Sequence, residues 1–570
     1  MKFDLSIRIA GEAGQGIQTI GTVMSGIFKR AGLSTFANQD AMSRIRGGNN
    51  FLQLRVADGP VCCPREKCDI IVALDKGSVY LHTASLTENG VIVADNETFR
   101  IDDVDKRLFN VPFRRIVAQM ELDAILINSV ACGVLTGLTG VPFDFAAETL
   151  RSFFSKKGDK LIDANFRAAK AGNEFVHAQN RENHIQVPAL PDHDRLLMSG
   201  NDALALGAIK AGCRFYSAYP MSPSTDIMET MCRFAPDYKI VVEQAEDEIA
   251  AVNMVIGASF AGVRAMTGTS GGGFALMGEG ISLAGMTETP LVIVNGQRPA
   301  PATGLPTRTE QADLDLAIHS GHGEFARAVF APGTVEEAFT IMVHAFEMAD
   351  KFQIPVVVLS DQYLADSQTT VDPKSLTGPA PIRHLLSKDE SQSIELYRRY
   401  ALTESGISPR AVPSWIKDPI YVDSDEHTEE GHITEDADVR VVMVQKRFHK
   451  KMALLEKEII APTAVNGENA DLVLVGFGST YGVMREAAET TTSQKIGFLH
   501  LSQVWPFPAG AVTAALEKAN RVVTVENNAG AQLAKLLRRE TGIVVNGSIL
   551  KYDGRPFAID FLIRELNRGQ

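Results

Sequence analysis

Glu243, Glu246, Asp247 and Glu248 stand within six residues at the head of VVEQAEDEIAAVNMVIGASFAG, which is otherwise apolar and small-sided. Acids in a first helical turn satisfy free amides and complement the helix dipole, and that is the plain reading of the group. Glu248 stands apart. On a helix it shares a stripe with Ala251, Val252 and Val255, which aims its carboxylate along an apolar face. A carboxylate kept from water has either a partner or a function.

Other residues suited to chemistry lie close by in sequence. In AYPMSPSTDIME, Pro220 and Pro223 fix the backbone on both sides of Ser222 after Tyr219, holding a hydroxyl in a rigid turn where a strand ends. TGTSGGGFALMGEG is a strand-to-helix turn through Ser270 and Gly271, and Arg298 in VNGQRPAPATGLPT sits just past another strand. An arginine there suits a carboxylate, because its fork holds both oxygens. Open α/β sheets bind ligands beyond the carboxyl ends of their strands, so the three turns should collect in one place.

A second glycine-rich turn opens the chain. IRIAGEAGQGIQTIG reads as strand, turn at Gly11, Gly14 and Gly16, then helix, whose free amides suit a phosphate. The spacing is G-x-x-G-x-G, and Glu12 would repel a pyrophosphate, so the dinucleotide fingerprint is poorly matched. Asp40 stands where a ribose contact could come, and SRIRGGNN, with Arg44 and Arg46, is either an anion-binding turn or a surface loop. Cys62, Cys63 and Cys68 in VCCPREKC lie close together but lack paired C-x-x-C spacing and a fourth ligand, so no metal ligand is assigned.

The elements that must position these residues are those of an α/β protein. A chain of 570 residues holds roughly three or four domains at about 100 to 200 residues each. Residues 1–185 alternate strand-like and helix-like runs and end in HAQNRENHIQVPALPDHD, a linker. Residues 186–375 carry RFYSAYP, KIVVE, RAMTGTS, PLVIVNG and IPVVVLS with helices between, the pattern of a parallel sheet covered on both faces. Residues 376–468 lose the rhythm until the helical VRVVMVQKRFHKKMALLEKEI and read as a connector, and residues 469–570 form a smaller α/β domain. A net charge of −13 argues against nucleic acid or an anionic membrane as the main partner. The chain shows neither a signal peptide nor an apolar run long enough to span a bilayer, so a cytoplasmic protein is expected.

YPMSPSTD, EDEIAAVNMVIGAS, TGTSGGG and NGQRPAPATGLPT together resemble the alpha subunit of the 2-oxoacid:ferredoxin oxidoreductases, in the form with the gamma domain fused in front. The resemblance covers nearly the whole chain. GEAGQGIQTIG and SRIRGG match the Rossmann-like gamma domain, the second part the thiamine-diphosphate pyrimidine-binding domain, and VGFGST through VVTVENNAGAQLA the transketolase C-terminal-like domain. It implies oxidation of a 2-oxoacid with coenzyme A to an acyl-CoA, carbon dioxide and two electrons for ferredoxin, or the reverse carboxylation. By this resemblance Glu248 bonds N1′ of the cofactor's aminopyrimidine, Arg298 grips the substrate's 1-carboxylate, and Ser222 contacts the 2-oxoacid. Tyr219, Pro220, Ser270 and Gly271 contribute to the cofactor site. Two departures stand out: YPMSP replaces YPITP, so serine lacks threonine's stiff β-branch, and TSGGG replaces the commoner TSGPG, which should loosen that turn.

The GDG pattern that holds Mg²⁺ and the diphosphate is missing, as are cysteines fit for a cluster. The resemblance therefore implies a beta subunit carrying Mg²⁺, the diphosphate site and a [4Fe–4S] cluster in an (αβ)₂ heterotetramer. Length and gamma–alpha order point to 2-oxoglutarate, with pyruvate and other 2-oxoacids open. A nicotinamide-dependent dehydrogenase using Gly11–Gly16 and a noncatalytic scaffold are the rival classes.

Overall fold

The computed structural model describes residues 3–44, 47–102, 105–179, 185–188, 190–191, 194–466 and 470–568. The chain forms two compact units. One comprises Met1–Met198, Asp366–Ser375 and Phe557–Gln570; the other comprises Ser199–Ala365 and Leu376–Pro556. Arg46 and residues 180–184, 189, 192 and 193 of the expected linker lie outside the described residues.

The first unit is built on a mixed sheet of eight strands, in the order Leu108–Asn110, Leu86–Ala94, Cys68–Ala73, Asp4–Ala13, Gly47–Ala57, Ser34–Asp40, Gln368–Val371, Leu196–Ser199. Asp4–Ala13 is parallel to Cys68–Ala73 on one side and antiparallel to Gly47–Ala57 on the other. Alternate residues Leu5, Ile7 and Ile9 enter a core shared with Ile20, Met24 and Phe28 of the helix Ile17–Arg30. Residues 47–50 of SRIRGGNN open the second strand of an antiparallel hairpin, where the sequence allows either an anion-binding turn or a surface loop. That hairpin places Gly47–Ala57 between Asp4–Ala13 and the strand ending in Asp40, one strand further away than a dinucleotide fingerprint requires.

The loop VCCPREKC has a structural task. Pro64 accepts the Ile559 amide at 3.1 Å, the Glu66 amide donates to Asp560 at 2.7 Å, and Arg564 pairs with Glu66 at 2.8 Å. The loop thus seats the helix Ile559–Arg568, an element the sequence reading missed. Cys63 and Cys68 are buried, and burial pushes the Cys68 thiol up, away from the thiolate a metal needs. Among the described residues no three His, Cys, Asp or Glu side chains are grouped to hold a metal ion.

The second unit holds a seven-stranded sheet, in the order Gln503–Trp505, Ala328–Phe330, Pro355–Asp361, Leu291–Gln297, Ala265–Thr269, Phe215–Ala218, Val241–Gln244. All pairs are parallel except that formed by Gln503–Trp505, a strand that sequence assigns to the last region. The central strands are buried along their whole length, the signature of a sheet covered on both faces. A second sheet orders Thr463–Val465, Ile496–Leu501, Leu472–Phe477, Val522–Glu526 and Gly547–Leu550. The stretch without rhythm is held by buried charge: Lys446 and Lys451 both pair with the fully buried Glu288, the latter at 2.7 Å, and Arg399 donates to the Glu288 carbonyl at 2.6 Å. Removing one partner of such a cluster strands the others in a dry interior. Among the described residues no helix is long and apolar enough to cross a membrane.

Candidate functional site

Three turns meet at the carboxyl ends of the adjacent parallel strands Phe215–Ala218, Ala265–Thr269 and Leu291–Gln297. The first runs from Tyr219 to Pro223. Pro223 packs on the Cα of Gly296, where an added Cβ would lie 2.8 Å from the proline ring. Arg298 reaches over from the third strand and donates through Nη1 to the Ser222 carbonyl at 2.8 Å. Ser222 itself is exposed, as is Tyr219, while Pro220 and Arg298 are half-buried. Burial lowers the Arg298 pKa from its usual value. Arginine stays cationic at any physiological pH, so the site presents a fixed positive charge beside a free hydroxyl.

The second turn is Ser270–Gly273, the N-cap and first helical turn of the short helix Gly271–Leu276. Ser270 is buried and donates from Oγ to the sulfur of Met221 at 2.6 Å, tying the first two turns together. Met221 occupies a position the sequence reading noted only as a motif variant.

Glu248 lies under this second turn. It opens the helix Glu248–Phe260 and is 4% exposed, and it heads the buried stripe Ala251, Val252, Val255, Ile256 and Ser259. Asp247 is the N-cap, accepting the Ala250 amide at 2.7 Å. Glu243 belongs instead to the edge strand Val241–Gln244, and Glu246 is an exposed loop residue, so only Asp247 keeps the capping role expected for three acids. Glu248 Oε1 is buried with no hydrogen-bond partner. Gly273 explains how it gets so close: a Cβ there would lie 2.4 Å from Glu248 Oε1 and 2.1 Å from Thr269 Oγ1. A buried carboxylate oxygen lacking a donor fits a ring nitrogen that brings one, and the residues present therefore suit an aminopyrimidine.

On the other side of the same turn stands Asp313, a residue that sequence reading passed over. Its carboxylate would lie 2.3 Å from a Cβ on Gly271. It accepts from Asn295 at 3.2 Å, and its amide donates to Gln297 at 3.1 Å. Burial pushes Asp313 up, and burial together with the Asp313 charge pushes the half-buried Glu310 up to about 7. Between them, Gln311 donates to the Phe477 carbonyl at 2.9 Å, binding the segment to the last α/β region.

The turn at Gly11–Gly16 is built otherwise. Gly14 and Gly16 have φ of 92° and 81°, and Gly14 borders two cavities. One, of about 360 Å³, is walled by Phe99, Phe113, Arg114 and Ile125; the other, of about 370 Å³, by Gln18, Gln39 and Arg44.

The six parallel strands fall within residues 206–446, which match the thiamine-diphosphate-binding model of the pyruvate flavodoxin/ferredoxin oxidoreductases. The pyruvate ferredoxin/flavodoxin oxidoreductase model matches residues 6–175, and core domain II of pyruvate:ferredoxin oxidoreductase matches residues 470–557. A 2-oxoacid:ferredoxin oxidoreductase alpha subunit from Sulfolobus is 34% identical, over 98% of this chain and 96% of its own length. The 2-oxoglutarate synthase subunit KorA of Methanothermobacter thermautotrophicus is 33% identical over 66% of this chain and all of its own. The solved 2-oxoglutarate:ferredoxin oxidoreductase of Magnetococcus marinus, with 2-oxoglutarate, coenzyme A and succinyl-CoA bound, covers both chains fully at 32% identity and a TM-score of 0.91. This chain belongs to the 2-oxoacid:ferredoxin oxidoreductases and is of their alpha-subunit type. With that, the nicotinamide and scaffold readings lose their footing.

Proposed function

We propose that this chain is the alpha subunit of a cytoplasmic enzyme that interconverts 2-oxoglutarate and coenzyme A with succinyl-CoA, carbon dioxide and two electrons passed to ferredoxin. The observation that carries the reading is the orphaned oxygen of Glu248, buried against Gly273 in a domain of the thiamine-diphosphate-binding family. The choice of substrate rests on the full-length likeness to the Magnetococcus marinus enzyme.

In this reading Glu248 holds N1′ of the aminopyrimidine, and Tyr219, Pro220, Ser270 and Gly271 wall the cofactor. Bound thiamine diphosphate supplies a carbon nucleophile and an electron sink. The protein's own groups orient and shield. The apolar helix behind Glu248 keeps water from its carboxylate, so its proton affinity is directed at the ring nitrogen alone. Arg298, held by the Ser222 carbonyl, stands ready to pair with the substrate's 1-carboxylate, and the Ser222 hydroxyl to bond its 2-oxo oxygen. Mg²⁺, the diphosphate site and the [4Fe–4S] cluster belong to a beta subunit in an (αβ)₂ heterotetramer. The four-part division into gamma, pyrimidine-binding, connector and transketolase C-terminal-like regions describes the functional segments of the chain.

The test is ferredoxin or methyl viologen reduction by the assembled complex, with coenzyme A and a panel of 2-oxoacids. Glu248→Gln, which keeps volume and removes the proton partner, should lower turnover by orders of magnitude while leaving assembly intact; full activity would overturn the assignment. Arg298→Ala in the same assay should raise KM for the 2-oxoacid more than it lowers kcat.

A further inference from the structure

The glycine turn is covered by a buried carboxylate on each side. Glu248 presses on Gly273 and Asp313 on Gly271, while Gly272 between them is exposed and has no atom within 4 Å of an added Cβ. Three successive glycines give a backbone with little conformational restraint of its own. Something outside the turn must hold it: Met221 engages Ser270, Thr269 and Glu248 crowd Gly273, and at Gly271 the side chain in contact is Asp313. Glu248 has another task in the proposed reading, and its Oε1 makes no hydrogen bond within the protein. Asp313 is anchored: Asn295 and Gln297, both in the central strand Leu291–Gln297, fix its carboxylate and its amide, and Gln311 ties the same segment to Phe477.

We propose that Asp313 is a positioning residue for the reaction: by packing on Gly271 it holds the Ser270–Gly273 turn down on Glu248. This rests on the assignment of Glu248 to the cofactor's aminopyrimidine. Glycine at 272 in place of the proline of TSGPG makes the clamp necessary here, because proline would stiffen the turn by itself. Position 272 lies in the first turn of its helix, where a proline costs no hydrogen bond.

Four proteins decide the matter, each assembled with its partner subunits: Asp313→Ala, Asp313→Asn, the double change Asp313→Ala with Gly272→Pro, and Glu248→Gln. Two readouts are taken beside turnover: amide hydrogen exchange of the peptide spanning residues 270–277 without cofactor, and the rate at which the C2 proton of bound thiamine diphosphate exchanges into D₂O without substrate. Asp313→Ala should speed amide exchange in that peptide and slow C2 exchange about tenfold. Asp313→Asn, which keeps the packing, should lose much less. The double variant should recover both readouts to within about threefold, which a general loss of stability would not allow. If Asp313→Ala leaves both readouts at wild-type levels, or if Gly272→Pro restores neither, the positioning role is wrong. If instead Glu248→Gln leaves C2 exchange unchanged, the underlying assignment of Glu248 fails.

Discussion

The two glycine-rich turns look alike on paper and differ in what the glycines do. At Gly14 and Gly16 the backbone takes a positive φ that L-residues avoid, and Gly14 opens onto cavities. At Gly271 and Gly273 neither residue has a positive φ; the missing side chains let two carboxylates lie on the backbone itself. The first turn needs glycine for its shape, and at Gly16 also for Asn128, whose Nδ2 would lie 1.9 Å from an added Cβ; the second needs it only for what is pressed against it. A strand–glycine–helix pattern in sequence therefore marks a place where something approaches closely, without saying whether that something is a ligand, a side chain or only the chain's own bend.

The comparison can be broken most decisively at Gly273. Gly273→Ala puts a methyl group where Glu248 and Thr269 already are, so one must move by an ångström or more. Turnover of the assembled complex should fall about a hundredfold, the usual scale for such a misplacement; a fully active variant would show that Glu248 need not sit where it does. Gly14→Ala meets open space and suffers only the strain of φ 92°. Thermal unfolding should register a loss of about 1–2 kcal/mol, with the C2 exchange rate unmoved. A change in that rate would tie the first turn to the cofactor after all. The smallest effect is expected beside the second turn. Glu310, raised to about 7 from its usual 4.5, binds a proton in the folded chain that the unfolded chain has released. Its contribution to stability is present below about 4.5 and lost as pH rises through about 7. Because the group is half-exposed, solvent screens much of this, and Glu310→Gln should raise Tm by a few degrees at most at pH 8 while leaving it unchanged at pH 4. Equal shifts at both pH values would remove the protonation from the account.

Much of the site could be read in sequence because its logic is local. The stripe from Glu248 through Ala251, Val252 and Val255 is helical periodicity, and Arg298 and Ser222 follow strands that are plain apolar runs. Asp313 was not legible, since its contact with Gly271 joins segments far apart in sequence and nothing in TEQADL marks an acid that folds inward. The hairpin Ser34–Asp40 and Gly47–Ala57 was hidden for another reason: its strands alternate with Asn, Gln and Arg, and those side chains are buried in a polar network. Gln503–Trp505 was too short to show any period at all, and it becomes a strand only because an edge of the larger sheet is there to receive it.

The division of the first unit among three stretches of chain changes what a broken bond would do. The polypeptide passes between the two units four times, after residues 198, 365, 375 and 556. A protease nick at any one of these points yields fragments that each still own part of the eight-stranded sheet or the helix Ile559–Arg568 seated on the loop at residues 61–68, such as Gln368–Val371 paired with Ser34–Asp40. Cleaved protein should run as a single species on a native gel and separate only in denaturant. The N-terminal unit is equally unsuited to exchange as a cassette, because a cut that follows the linear order leaves behind a strand and a helix that belong to it.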